Sequence, residues 1–347
     1  MKICLYGAGA IGGLFGVRLA KGNHEVSVVE VGPTLEAIEK HGLRVMSGGQ
    51  MISAKVTATS DPASLGPQDL VIIAVKGPTL KFIAPKIGSL LGPGSVVLTA
   101  MNGVPWWFFQ GFGGDYQGAR LQSIDPDGTI AASIPVERVI GCVINLSCSL
   151  IEPGVVNHVS GNKLTIGEPN NRESGRLLDL GVLLTDAGFN VTVSSSIQKN
   201  IWFKLMGNGS HNPISALTGA TMDRILDDPL TSDLTIKVMT EAGEVGRKFG
   251  CAMKETPQER NEKTRTLGAF KTSMLQDVEA KKAVELDALI GVVSEIGKKV
   301  GVATPFTDAL FGLARLKAQV MGLYPWASAA LPATQESPIA EEPVAAR

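Results

Sequence analysis

The chain is poor in aromatic residues (5%) and in cysteine, with only four thiols and four histidines in 347 residues. Cys4, Cys142, Cys148 and Cys251 are scattered, none forms a C-x-x-C pair, and no histidine cluster accompanies them. A disulfide framework or zinc site is therefore not indicated, and buried free thiols are expected. Charge of one sign is also missing: 32 basic residues oppose 33 acidic ones, leaving a net charge of −1. Nothing here recommends nucleic acid or an anionic membrane as partner. No apolar run approaches the roughly 18 residues that span a bilayer. The opening MKICLYGAGAIGG has no apolar core followed by a cleavage site, so no signal peptide is expected and a cytoplasmic enzyme fits best.

What is present is a 44% hydrophobic composition, enough for sizeable cores, and a length that suits two domains. Residues 2–6 read as a short apolar strand, 11–21 as a helix and 25–30 as a second strand, which together make a βαβ unit. Further apolar strands are expected at 70–75, 95–100 and 139–145, with a hairpin around 155–166. From about residue 196 the pattern changes to apolar residues three and four apart, over 197–208 and nearly all of 229–322. The fold class predicted is α/β, a Rossmann-type doubly wound sheet followed by an all-α C-terminal domain. The expected division is 1–195 for dinucleotide binding, 196–324 for the substrate and catalysis, and 325–347 as a disordered tail rich in Pro, Ala and Glu.

Gly7, Gly9 and Gly12 form G-x-G-x-x-G directly after the first strand and at the start of a helix, the context that makes this motif specific. The glycines permit the tight turn, the approach of a pyrophosphate and close packing of helix on strand, and the helix amino end, including Ala10 and Ile11, faces the phosphates. Glu30 ends the second strand, 23 residues after Gly7. An acid there binds the adenine ribose hydroxyls and repels a 2′-phosphate, and Val31 and Gly32 offer no cation, so NAD is favoured over NADP. The alternative is that Glu30 points to solvent and a more distant base handles a phosphate.

Lys204, Asn208 and Asn212 recur at four-residue spacing and would share one helix face. A cation with two amides suits a substrate carrying a carboxylate and a carbonyl; a solvated face is the plainer explanation from spacing alone. The set GAGAIGG, AVK ending at Lys76, MNGVP with Asn102, the Lys204 block, SMLQD from Ser273, and Glu285 resembles the ketopantoate reductase (2-dehydropantoate 2-reductase) family, over residues 1–320 or so. The resemblance implies a Rossmann-type domain followed by a helical one, and a place in pantothenate biosynthesis. It implies that Lys76 lies near the nicotinamide ribose, ending a strand, and that Asn102 sits beside nicotinamide and substrate. Lys204 would be the general acid, Asn208 and Asn212 would bind the substrate's polar groups, and Ser273 its carboxylate. Glu285 would bind the substrate hydroxyl and could pair with Lys204; its surroundings, DVEAKKAVELD, read as a charged helix. His211, on a similar face, is a weaker pocket candidate.

Three features depart from the family pattern. Phe270 stands where an asparagine is common, the run Trp106, Trp107, Phe108, Phe109 is either core or pocket lining, and 110–135 is longer than in compact relatives. The expected activity is NAD(P)H-dependent reduction of a 2-oxoacid, with no metal and with a homodimer left open. The alternatives are an NAD-dependent dehydrogenase of another hydroxy acid and a dinucleotide sensor without turnover.

Overall fold

The computed structural model describes residues 1–326; the expectation for the tail lies almost wholly outside them. The first part of the chain runs β1 (Lys2–Tyr6), α1 (Ala10–Lys21), β2 (Glu25–Val29), α2 (Gly32–His41), β3 (Leu43–Ser47), β4 (Gln50–Ala54), β5 (Thr57–Thr59), β6 (Gln68–Ile73), α3 (Gly77–Ile87) and β7 (Leu91–Thr99). It continues through α4 (Thr129–Ser133), β8 (Val139–Glu152), β9 (Val155–Gly167), α5 (Gly175–Asp186) and β10 (Asn190–Val193). The remainder is helical: α6 (Ile197–Thr218), α7 (Met222–Asp227), α8 (Pro229–Lys248), α9 (Pro257–Arg265), α10 (Ser273–Glu279), a π-helical turn (Asp287–Gly291) leading into α11 (Val292–Val300), and α12 (Pro305–Val320).

The strands form one ten-stranded sheet ordered β4-β3-β9-β8-β7-β6-β1-β2-β5, with β10 also pairing with β9. From β5 to β8 the pairings are parallel, so the chain reverses its winding direction between β1 and β6. In open sheets of this kind ligands bind beyond the carboxyl ends of the strands at that reversal. There β1 ends in the glycine turn, β6 leads to Lys76 and β7 leads to Asn102.

The segment 155–166 is one strand rather than a hairpin. β9 pairs antiparallel along the length of β8, which continues to Glu152 instead of ending near residue 145. The reversal falls at residues 153–154, where Gly154 adopts φ +73°. Alternating apolar residues could not reveal this, because both arms carry them and the middle of each is partly exposed.

One core lies on the α1 and α5 side of the sheet, with Leu14, Phe15 and Leu19 of α1 packed among Ile3, Leu5, Leu177 and Leu184. The other begins on the opposite face with Val71, Ile73, Val97 and Leu80. It runs without a break into the helices, where Phe108, Trp202, Leu205, Met239 and Val245 belong to it. Sheet and helical parts are thus joined by buried apolar surface, the dominant favourable contribution in such contacts. Phe108 and Phe109 lie in this seam, in edge-to-face contact with Phe249 at centroid distances of 5.9 and 5.5 Å. Phe270 packs against the same core.

Candidate active site

The glycine turn is built for close approach. Gly7 has φ +95°, a conformation that β-carbons disfavour, and its amide donates to the Val29 carbonyl at 3.0 Å. A β-carbon on Gly12 would fall 1.9 Å from the Gly7 carbonyl oxygen, whereas one on Gly9 would meet nothing within 4 Å. The first lets α1 pack on the turn; the second leaves open space in front of the amides of Ala10 and Ile11. Those amides lie in the first turn of α1, where no side chain caps them. A dinucleotide's pyrophosphate fits this cradle.

Glu30 does not point to solvent. Its Oε2 accepts from the Ala8 amide at 2.7 Å and its Oε1 from the Val31 amide at 3.1 Å. The carboxylate is fixed on the rim of the turn, and Val31 beside it is 65% exposed.

Lys76 does not end a strand. β6 stops at Ile73, and Lys76 is the residue preceding α3, because Gly77 and Pro78 begin a helix. Its ammonium is ion-paired with Asp277 of α10 and donates to the Ala283 carbonyl at 3.3 Å. Asp277 belongs to the SMLQD motif but carried no expectation of its own.

Asn102 follows β7, and its Oδ1 accepts from Lys204 Nζ at 2.8 Å. The same ammonium donates to the Ile144 carbonyl at 2.6 Å. This is a backbone contact made where β8 passes beneath α6, and no side-chain pattern could have announced it. Burial is the largest influence on Lys204 and pulls its pKa down to about 8, against the smaller opposing pull of Cys142 and Glu285. The cation is therefore held between a carboxamide and a carbonyl, poised to release a proton near neutrality.

Asn208 and Asn212 follow one and two turns along α6, on the face of Lys204. The helix continues through Pro213 to Thr218, so all three share one uninterrupted element. No side-chain hydrogen bond engages either asparagine among the described residues.

Glu285 corrects the sequence reading. The helix over SMLQDVE ends at Glu279, Lys281 has φ +53°, and Glu285 lies in the extended stretch before the π-helical turn. Its Oε1 accepts from the Gly77 amide at 2.9 Å, at the amino end of α3. It forms no ion pair with Lys204 among the described residues. Burial nevertheless raises the Glu285 carboxyl above its usual range, the Gly77 hydrogen bond and Lys76 opposing.

Ser273 is the exposed first residue of α10; the neighbouring Thr272 supplies the capping oxygen. His211 is not in the pocket. Its Nε2 contacts Asn261 Oδ1 at 2.9 Å, and Asn261 donates in turn to Thr235 Oγ1 at 2.8 Å. Burial lowers its pKa to about 4, so this imidazole is a neutral core group. The four cysteines are free thiols; Cys148 is only half-buried, and burial pushes the pKa of Cys142 up to about 12.

Asn102, Cys142 and Glu285 also stand in the wall of a cavity of about 510 Å³ between α3, residues 101–107, residues 123–130 and the start of the π-helical turn. Trp106 and Trp107 border it, yet Trp106 is only 3% and Trp107 0% exposed. The two readings of the aromatic run divide: Phe108 and Phe109 are core, Trp107 is core beneath the cavity, and Trp106 shows it an edge. The segment 110–135 forms the outer wall, held to α11 by Glu295, which accepts from the amides of Gln122 and Ser123 at 2.8 Å each.

Comparison with known proteins identifies the family. Residues 3–110 match the family described as "Ketopantoate reductase PanE/ApbA", and residues 196–318 match "Ketopantoate reductase PanE/ApbA C terminal". The chain is 40% identical over 325 residues to a 2-dehydropantoate 2-reductase of Mesorhizobium japonicum, covering 93% of this chain and 100% of the relative. A solved ketopantoate reductase-type protein from Ralstonia solanacearum MolK2 is 49% identical, with a TM-score of 0.90 over 93% of this chain and 99% of that one. The PanE/ApbA family ketopantoate reductase of Ralstonia eutropha JMP134 is 25% identical, with a TM-score of 0.80 over 93% and 100% of the two chains. No helix among the described residues is long and apolar enough to cross a membrane. A Rossmann-like sheet carrying the glycine turn, a helical part that delivers a half-buried lysine to an asparagine, and these matches along the chain lead to one conclusion: the chain belongs to the ketopantoate reductase family of NAD(P)-dependent oxidoreductases.

Proposed function

We propose that this chain reduces the carbonyl of a 2-oxoacid to the 2-hydroxyacid, with Lys204 as the general acid. The observation that carries this reading is the Lys204 ammonium, held at 2.8 Å from Asn102 and brought to a pKa of about 8 by burial. When bound, the dihydronicotinamide supplies a hydride, two electrons and a proton's mass, to the carbonyl carbon. As the carbon–oxygen π pair moves onto oxygen, Lys204 stabilises the negative charge and delivers the proton that completes the hydroxyl.

The other residues divide the work between residues 1–195 and residues 196–324. The turn at Gly7, Gly9, Ala10, Ile11 and Gly12 takes the pyrophosphate, Glu30 the adenine ribose, and Lys76 the neighbourhood of the nicotinamide ribose. Asn102 holds the Lys204 ammonium toward the substrate. Asn208 and Asn212, free of other side-chain partners among the described residues, take the substrate's polar groups, with Ser273 for its carboxylate and Glu285 for its hydroxyl. The direct test follows absorbance at the reduced-nicotinamide band with ketopantoate and other 2-oxoacids. Tight dinucleotide binding with no turnover of any of them would replace this reading by the sensor.

Cofactor choice rests on Glu30. A carboxylate facing a 2′-phosphate at roughly 4 Å opposes it by about 4 kcal/mol at an effective dielectric of 20. Val31, at the strand end, supplies no cation in compensation. The expected result is a higher kcat/KM with NADH than with NADPH, and a ratio that moves toward NADPH in Glu30→Ala, Val31→Arg. A wild-type preference for NADPH of about tenfold or more, some 1.4 kcal/mol, would show that a base outside the motif binds the phosphate.

A further inference from the structure

The outward face of α12 is apolar and bare. Leu310, Ala314 and Ala318 turn inward and are buried, which leaves the opposite side to solvent. A helix that packs on its own domain by one face ordinarily carries polar residues on the other. Here that other face carries Phe306, Ala309, Leu313, Leu316 and Val320, all exposed, Leu313 at 62% and Val320 at 72%. Their spacings of three, four, three and four residues are those of a coiled-coil seam, the period with which one helix packs along another.

Two features of α12 indicate which helix fits. Gly312 lies mid-helix, where glycine is less favourable than alanine, and nothing in its own chain requires it: a β-carbon there would meet nothing within 4 Å. Bare backbone beside the seam lets a second helix axis come close. The exposed charged residues of α12 are Asp308 and Arg315, one acid and one base, seven residues apart and therefore on one flank of the seam. Asp308 accepts from the Thr304 hydroxyl at 3.3 Å, and the Arg315 guanidinium rests over the Phe311 ring, 5.0 Å from its centroid. Neither has an ion-pair partner among the described residues. The point midway between them falls beside Gly312.

We propose that this face seats a second copy of the chain, the two α12 helices crossing antiparallel about a two-fold axis at Gly312. In that arrangement Asp308 of each copy faces the partner's Arg315, so opposite charges meet twice. Phe306 faces the partner's Leu316, and Ala309 faces the partner's Leu313, a small residue opposite a large one. A parallel pairing would instead set acid against acid and base against base. A helix of 16 residues is about 24 Å long, so this face by itself falls short of the roughly 800 Å² per partner of a standard interface. The dimer is accordingly a reversible one, with Kd on the order of micromolar. The proposal does not depend on the reductase reading.

Sedimentation velocity of the full chain from about 5 to about 200 μM is the test. The expected result is a shift from monomer to dimer across that range. Leu313→Asp should stay monomeric throughout, with kcat and, at low concentration, melting temperature unchanged. Asp308→Arg and Arg315→Asp should each weaken the dimer by about tenfold or more, because each sets like charges face to face, and together they should restore it. A wild type still monomeric at about 200 μM would overturn the proposal. So would a dimer that Leu313→Asp leaves intact, or a double variant no tighter than the singles. If a monomer dimerises only once residues 327–347 are removed, the face belongs to the chain's own end and the proposal falls. The wild-type series and the charge variants decide if Leu313→Asp does not fold.

Discussion

Lys204→Ala is expected to lose at least about 10²-fold in kcat while it folds, melts near the wild-type temperature and retains its dinucleotide affinity. The loss follows from chemistry: the oxygen that gains charge during hydride arrival no longer faces a cation or a proton donor. The fold should tolerate the change because the buried ammonium is held at the expense of its hydration, as its lowered pKa records. Removing it relieves that cost, and Asn102 borders a cavity that water can enter. The pH profile carries the more specific signature. A general acid must be protonated, so reduction should be flat below about pH 8 and fall tenfold per unit above it. Oxidation of the hydroxyacid needs the free amine and should rise with pH through the same region. Both limbs should vanish in the alanine variant. The same shift acts on stability with a definite sign. The folded chain releases this proton near 8 and the unfolded chain near 10.5, so the unfolded state binds more protons between the two, and stability due to Lys204 increases across that window. Near wild-type kcat in Lys204→Ala would remove the residue from the mechanism.

Trp107→Ala should be the most destabilising single change in the seam between sheet and helices, at roughly 3–5 kcal/mol. The indole has no exposed surface, and its Nε1 donates to Thr99 Oγ1 at 3.3 Å. Its six-membered ring lies against Gly141 of β8 so closely that a β-carbon there would be 2.5 Å from Trp107 Cη2. Truncation leaves a void with walls on two elements that cannot both collapse. Gly141→Ala attacks the same contact from the other side and should cost about 1–3 kcal/mol by overpacking. Urea midpoints of the two variants measure this. A shift worth under about 1 kcal/mol in Trp107→Ala would mean that the ring is not part of the packed core.

The βαβ unit was legible because period, glycines and strand end agree within thirty residues. Glu30 could be placed at the end of β2 from sequence, but its two amide partners depend on how the turn folds back over it. Glu285 was misplaced on a helix because EAKKAVELD has the composition of one. The left-handed turn at Lys281 breaks it, at a residue that seldom adopts that conformation. What draws Glu285 to its position is the amino end of α3, more than two hundred residues earlier in the chain. The family resemblance put Lys204 and Asn102 separately at the substrate, but their hydrogen bond, between residues 102 apart, was announced neither by it nor by any local pattern. His211 had the spacing of a pocket residue, and only the buried Asn261 and Thr235 show that it turns the other way.

The joint between the two halves has a consequence for how catalysis is timed. Only residues 194–196 separate β10 from α6, and each end is pinned: Ser194 Oγ receives the Ser196 amide at 3.0 Å, and Asn171 Oδ1 receives the Ile197 amide at 3.2 Å. A connection this short and this well bonded is a poor hinge, because the large backbone rotations of a swinging body need residues free to make them. Lys204, two turns into α6, rides on a stiff arm whose direction is set when the chain folds. The entropy of aligning the proposed proton donor is then settled during folding rather than at each encounter with substrate. Slow steps in turnover are accordingly expected where ligands enter and leave, and not in a rocking of one half against the other.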